Sequence, residues 1–426
     1  MKRNIIILAI IALIFSGCRK EADYHPYIGE NSSLAYDSYS TQFEYLWKCI
    51  STGYVFWDVD ETDWDAVYDE YMPKFKDLDA KHEAGQEVKL AELETLYTGA
   101  FGGLRDHHMT VVVKNLFPAA EGGNYVFVTP SDIEVVTRDY YLETREQEQG
   151  HLITFFGEME SLYDIETHES ITAPVEELGA EVTYHYFLIK LADGRKIPYL
   201  WQSMAALTPT MRAAGSAGEV GIAASIIDHW LTAITDTPRE QLAGFILDNR
   251  ANRGGYQDDL DYLIGTFLNN RTEILRTRYK EGPGRLEHSA WTPYYIDAQS
   301  NYHRDITAEN IPYVVICDLN SVSMGEIEPM IIKAVLPTSY IIGERTWGGT
   351  GPLQPETSID LNYGGPFGNP NTMHHYVYTS SFESQIGGKV YEGIGFTPDK
   401  EVLRKDHNGD FKPQLDAAIE YIKNHQ

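Results

Sequence analysis

The stretch from Ile311 to Gly351, IPYVVICDLNSVSMGEIEPMIIKAVLPTSYIIGERTWGGTG, leaves this chain few ways to fold. Tyr313 to Cys317 is a β-branched apolar run that predicts a buried strand. Asp318, Asn320 and Ser321 then break the run. From Ser323 onward, Met324, Ile327, Met330, Ile331, Ala334 and Val335 recur at helical spacing. Tyr340 to Gly343 predicts a second strand, so Ser323 stands where a strand hands over to a helix. Two readings of it are open. Ser323 and Glu326 have the S-x-x-E spacing of a capping box, in which each side chain satisfies an orphan amide. A serine at a helix N-terminus is also placed for nucleophilic attack, because first-turn N–H groups and the helix dipole can stabilise an oxyanion.

The rest of the chain follows the same alternation. Val220 to Leu231 is apolar at helical spacing within a predicted helix over 217–236. Gly244 to Arg250 predicts a strand, Ala251 to Gly255 a glycine turn, and Asp258 to Leu268 another helix. Strands alternating with helices indicate an α/β layered core over 197–426. Helices are also predicted from Ser40 through Ile50, from Trp64 to an end near Pro73, and over Leu90 to Ala100. They make an N-terminal helical subdomain over 40–114, closed by the strand Thr110 to Val113. Between them, 115–196 reads as a small β-rich insert of open topology. Its short runs are Tyr125 to Val128, 133–136, Leu152 to Phe156 and Val182 to Leu191; Pro198 to Trp201 is a further short run just beyond it. His375 to Thr379 is a late strand, and Leu415 to Ile422 a terminal helix. The overall expectation is an α/β (α+β) chain.

Charge excludes one class of partner. With 34 basic and 63 acidic residues the net charge is −29, and nucleic-acid binding needs clustered Lys and Arg. The N-terminus reads as a targeting segment: Lys2 and Arg3, an apolar run from Ile5 to Phe15, then Ser16-Gly17-Cys18. This resembles a bacterial lipoprotein signal. It implies removal of 1–17, lipidation of Cys18, a polar tether over 18–39, and a membrane partner through the anchor at the cell envelope, on the outer membrane or its periplasmic face. The apolar run is too short to span a bilayer comfortably. Cys49 and Cys317 sit in apolar patterns and predict buried free thiols. No HExxH or paired CxxC occurs, so neither a metal nor a cofactor is expected.

Four segments then fall into one pattern. GFILDNRANRGG resembles the D-x-R-x-N-x-G-G turn of the C-terminal processing (tail-specific) peptidases. SVSMGE followed by IIGERTWGG resembles their S-x-S-x-x-E and G-E-x-T-x-G segments. EGIGFTPD resembles their terminal G-x-G-x-x-P-D turn, and LRDHHMTV their L-x-D-x-H-T segment. The resemblance covers roughly residues 40–400 in order. It implies a crotonase-like catalytic core and a peptide or unfolded protein substrate; the insert 115–196 stands at the position of the family's PDZ module but shows no peptide-carboxylate-binding loop of that type. The Ser–Lys members carry a lysine near Gly348-Gly349, but here none lies between Lys333 and Lys389. The tricorn-like branch instead pairs serine with histidine and a glutamate. By that resemblance Ser323 is the nucleophile, His108 the base and Glu392 its orienting acid, with Asp106 a rival. His107 replaces the serine that this branch has before the histidine. Met324, Gly254 and Gly255 supply the expected oxyanion hole. The alternative is a non-catalytic peptide- or glycan-binding lipoprotein on the same fold.

Overall fold

The computed structural model describes residues 37–118, 125–130, 145–353, 362–368 and 375–425. The signal segment, Cys18, most of the tether and the expected strand at 133–136 lie outside the described residues. No helix among the described residues is long and apolar enough to cross a membrane.

Three helices open the chain: α1 (Tyr39–Gly53), α2 (Trp64–Glu83) and α3 (Leu90–Phe101). Ser38 and Asp63 cap the first two by accepting the amides of Thr41 and Ala66. Phe43, Leu46, Ile50, Phe75, Tyr97 and Phe101 bury into one aromatic-rich core. The expectation that α2 ends near Pro73 fails. Beyond the proline, Phe75 and Leu78 are buried at helical spacing, and that packing outweighs the missing N–H. Strands β1 (Thr110–Lys114) and β2 (Tyr125–Val128) close onto the same core with the late strands β11 (Phe367–Gly368) and β12 (His375–Tyr378). Their sheet order is β11-β12-β1-β2.

The stretch 115–196 does not stand apart. Its first described helix is α4 (Arg145–Leu162), where Leu152 to Phe156 was expected to be a strand. Leu152, Phe155, Phe156 and Met159 are buried at i, i+3, i+4 and i+7, the helical period that a five-residue window cannot show. Strands β3 (Ile165–Val175), β4 (Ala180–Lys190) and β5 (Lys196–Gln202) then join the sheet of the α/β core.

That sheet is completed by β6 (Phe245–Asp248), β9 (Tyr313–Cys317), β10 (Ser339–Gly343) and β14 (Lys400–Glu401), in the order β14-β10-β9-β6-β5-β4-β3. Strands β5, β6, β9, β10 and β14 run parallel. Their apolar runs are continuous because helices cover both faces. Phe245, Leu247, Tyr313, Val315 and Ile341 pack toward α5 (Glu219–Thr235) and α6 (Met324–Val335). Ile246, Val314, Ile316 and Ile342 pack toward α4 and α7 (Lys412–Asn424). The helix expected over 258–268 resolves into a short helical turn, Leu260–Leu263, between two 3₁₀ turns. A small sheet, β13-β7-β8, lies outside the core, with β7 (Thr272–Tyr279), β8 (Thr292–Ile296) and β13 (Phe382–Gln385). Cys49 and Cys317 are buried, and neither is in a disulfide.

Candidate active site

Parallel α/β sheets bind ligands beyond the carboxyl ends of their strands, where loops diverge to opposite faces. Three such loops meet here, those after β6, β9 and β10. A buried frame locks them together. Asp248 and Arg250 form an ion pair at 2.5 Å with neither side chain exposed, and Arg250 also donates to the Phe411 carbonyl and to Gln414. Asp318 accepts the Ala251 amide at 3.0 Å. Ser321 Oγ donates to the Asn249 carbonyl at 2.6 Å, and the Val322 amide to that of Asn252 at 3.0 Å. The D-x-R-x-N turn thus holds the segment entering α6.

Ser323 follows with φ 56° and ψ −126°, a conformation that costs a non-glycine residue on the order of 1–3 kcal/mol. Its side chain makes no capping hydrogen bond, so the serine half of the capping box is absent. Glu326 reaches the Ser323 backbone amide and, beyond it, the loop after β10. Its carboxylate accepts Thr346 Oγ1 at 2.6 Å and the amides of Gly348 and Gly349 at 2.9 and 2.7 Å. Burial pushes this acid up to about 7, opposed by those donors. The Gly349 carbonyl in turn accepts the Ser323 amide at 3.0 Å. Glu326 therefore fixes the loop after β10 against the serine.

The glycine turn presses on the same spot. A Cβ on Gly254 would lie 2.5 Å from Ser323 Cβ and 3.0 Å from the Met324 nitrogen. At Gly255 it would lie 2.1 Å from the Ala205 carbonyl oxygen, and both glycines have positive φ. Only glycine fits such an approach. The Gly254 amide donates to Asn252 Oδ1 at 2.9 Å, so it is engaged and differs from the donor role expected of it. Among the described residues, the Gly255 and Met324 amides donate to no backbone carbonyl of the surrounding loops.

His108 comes from the loop before β1, on the other side of Gly349. A Cβ on Gly349 would meet His108 Cε1 at 3.4 Å. A ring nitrogen of His108 and oxygens of Asp106 and Glu392 all lie within 4.8 Å of one another. Such a trio could also be read as a metal site, but its acids are saturated with donors. Asp106 accepts Thr379 Oγ1, the Ser380 amide, Ser380 Oγ and the His108 amide, at 2.6 to 3.0 Å. Glu392 accepts the amides of His107, Thr350 and Gly351 at 2.7, 2.5 and 2.7 Å, and Thr350 Oγ1 at 3.1 Å. Burial, and then the Asp106 charge, push the Glu392 acid well above its ordinary range, while the amides oppose this.

His107 is anchored by its Nδ1 contact of 2.9 Å with the Trp347 carbonyl, so its place is in the wall. The lysines lie elsewhere: Lys333 pairs with Asp399 at 2.9 Å, and Lys389 is exposed over the Tyr391 ring. Sequence reasoning missed Arg105, whose Nε donates to the Glu392 carbonyl at 2.6 Å, and the Thr350–Gly351 amides. The second glycine of the G-E-x-T-x-G segment was the available signal for the latter.

An α/β sheet with a strained serine at a helix start, and a histidine grouped with two buried acids nearby, is an arrangement that suits a hydrolase. More specifically, residues 223–402 match the model of peptidase family S41, in line with the C-terminal processing family read from the motifs. Two solved structures share the fold over nearly their whole length. One, a candidate peptidase from Parabacteroides merdae, is 19% identical with a TM-score of 0.60, over 91% of this chain and 97% of that one. The other, mature CPAF complexed with lactacystin, is 13% identical with a TM-score of 0.53, over 91% and 99%. No curated protein matches the chain.

Proposed function

We propose that this chain is a serine endopeptidase that cleaves peptides or unfolded protein segments in the bacterial cell envelope. The S41 domain supports a peptidase role. One observation supports the finer reading: the Gly349 carbonyl accepts the amide of the strained Ser323, and a Cβ on this glycine would lie 3.4 Å from His108 Cε1. In this reading Ser323 Oγ attacks the scissile carbonyl carbon as His108 takes its proton. The tetrahedral oxyanion is held by the Met324 and Gly255 amides and the positive end of α6. His108 returns the proton to the leaving amine, and water then releases the acyl group by the same route. Glu392 and Asp106 orient the imidazole and stabilise its cation. The lipidated Cys18 would tether the enzyme at the membrane, by the reading of its signal.

A fluorophosphonate probe tests this. It should label the folded chain stoichiometrically, and Ser323→Ala should abolish the adduct. No adduct on folded protein would favour the peptide- or glycan-binding alternative.

A further inference from the structure

A second cluster lies outside this machinery, where the N-terminal helical unit meets the small sheet β13-β7-β8. Asp58, His288 and Glu383 each bring a ligand-type atom within 4.8 Å of the other two. Glu383 is fully buried, and its Oε1 has no hydrogen-bond partner. A buried unpartnered carboxylate oxygen is costly and calls for a ligand. His288 Nε2 lies 2.9 Å from the Val55 carbonyl. That bond fixes Nε2 as the protonated nitrogen and leaves Nδ1 with its lone pair, the outer contact typical of metal-ligating histidines. A cavity of about 310 Å³ opens beside His288, between Glu281 and Glu287, and its acidic wall suits an entering cation.

We propose that Asp58, His288 and Glu383 bind a divalent transition-metal ion of the Zn²⁺ class. One imidazole and two carboxylates with an open fourth position suit that ion. Arg278 supplies positive charge there, bonded to Asp58 and, at 2.5 Å, to Glu383 Oε2. Its guanidinium also stacks on Trp291, 4.4 Å from the ring centroid, so it has somewhere to remain when the ion takes the carboxylates. Ligand atoms around tetrahedral zinc sit roughly 3.3 Å apart, so the cluster must contract slightly. Because Asp58 belongs to the helical unit and the other two to the loops and sheet facing it, the ion would clamp the two together.

The test is titration calorimetry of the full chain, carrying Ser323→Ala to prevent self-cleavage, with ZnCl₂ as the probe. One saturable site is expected, together with a higher thermal midpoint. Glu383→Gln and His288→Ala should each weaken binding at least tenfold. Asp58→Asn, at an exposed position where folding is not at risk, should weaken it too. His108→Ala should leave it intact, which separates this site from the Asp106–His108–Glu392 trio. Absence of a saturable site, or binding that survives Asp58→Asn and Glu383→Gln but not His108→Ala, would overturn the proposal.

Discussion

At the scale of single residues, candidates were legible where a motif fixes the residue type, and opaque where the backbone does the holding. Ser323, His108 and Glu392 stand out as candidates from their motifs, although they are nearly 300 positions apart at the extremes. Glu326 was visible only as a capping partner, because its true contacts, the Gly348 and Gly349 amides, depend on a loop twenty residues away. Two predictions belong here. His108→Ala should lower kcat by on the order of 10⁴, whereas Lys333→Met and Lys389→Met should keep it, since both lysines are engaged away from the serine. Peptide turnover by the three purified variants decides this, and full activity in His108→Ala would remove the histidine as base. The second concerns the oxyanion. Met324 opens α6, where proline is tolerated and deletes only an N–H that has no helical partner. Met324→Pro should therefore cost about 10²–10³ in kcat, while Met324→Ala, which keeps the amide, should stay near wild type. Equal kcat in the two variants would place the hole elsewhere.

At the scale of elements, periodicity told the truth only in windows long enough to show it. The β6, β9 and β10 runs were readable as strands because strands buried on both faces are continuously apolar. Residues 152–156 were misread because five apolar-rich residues satisfy both periods, and the polar residues on the outer face of α4 were discounted. The α4 reading makes a prediction. Phe156 is buried against His185, Phe187, Tyr199 and Trp201, whereas Ile153 is 38% exposed. Phe156→Ala should cost about 3–5 kcal/mol of unfolding free energy, and Ile153→Ser within about 0.5 kcal/mol. On a strand, 153 would share a face with 155 rather than stand opposite the core, and the two substitutions would come closer together. Urea denaturation of both variants separates these outcomes.

At the scale of the whole molecule, an acidic chain has buried several of its acids without cations beside them. Asp259 is pushed up to about 7, and Glu328 well above its ordinary range, each mainly by burial. Glu326 is likewise raised to about 7. Nothing in composition could have shown this, since the sequence does not say which carboxylates lose their water. The consequence is a pH dependence of definite sign. An acid whose pKa is raised on folding binds protons more tightly in the native state. Its stabilising contribution is full below the unfolded value, near 4, and is lost as pH rises through about 7. By linkage the native state then holds more protons than the unfolded one across that window, so stability falls with rising pH. The net charge of −29 acts in the same direction, because self-repulsion opposes the compact state. Ion-paired surface acids such as Asp65 and Glu92, which are lowered mainly by Arg285 and by Lys81, act oppositely, but they lie at the surface where water screens them. The urea midpoint should therefore be higher at pH 6 than at pH 8. Asp259→Asn keeps the side chain's shape but leaves an acceptor oxygen for only one of the Leu207 and Thr208 amides, which use Oδ2 and Oδ1 respectively. It should narrow the difference between the two midpoints even where it lowers both. A midpoint that rises from pH 6 to pH 8, or a difference unchanged in Asp259→Asn, would mean that amide donors and not burial govern these acids.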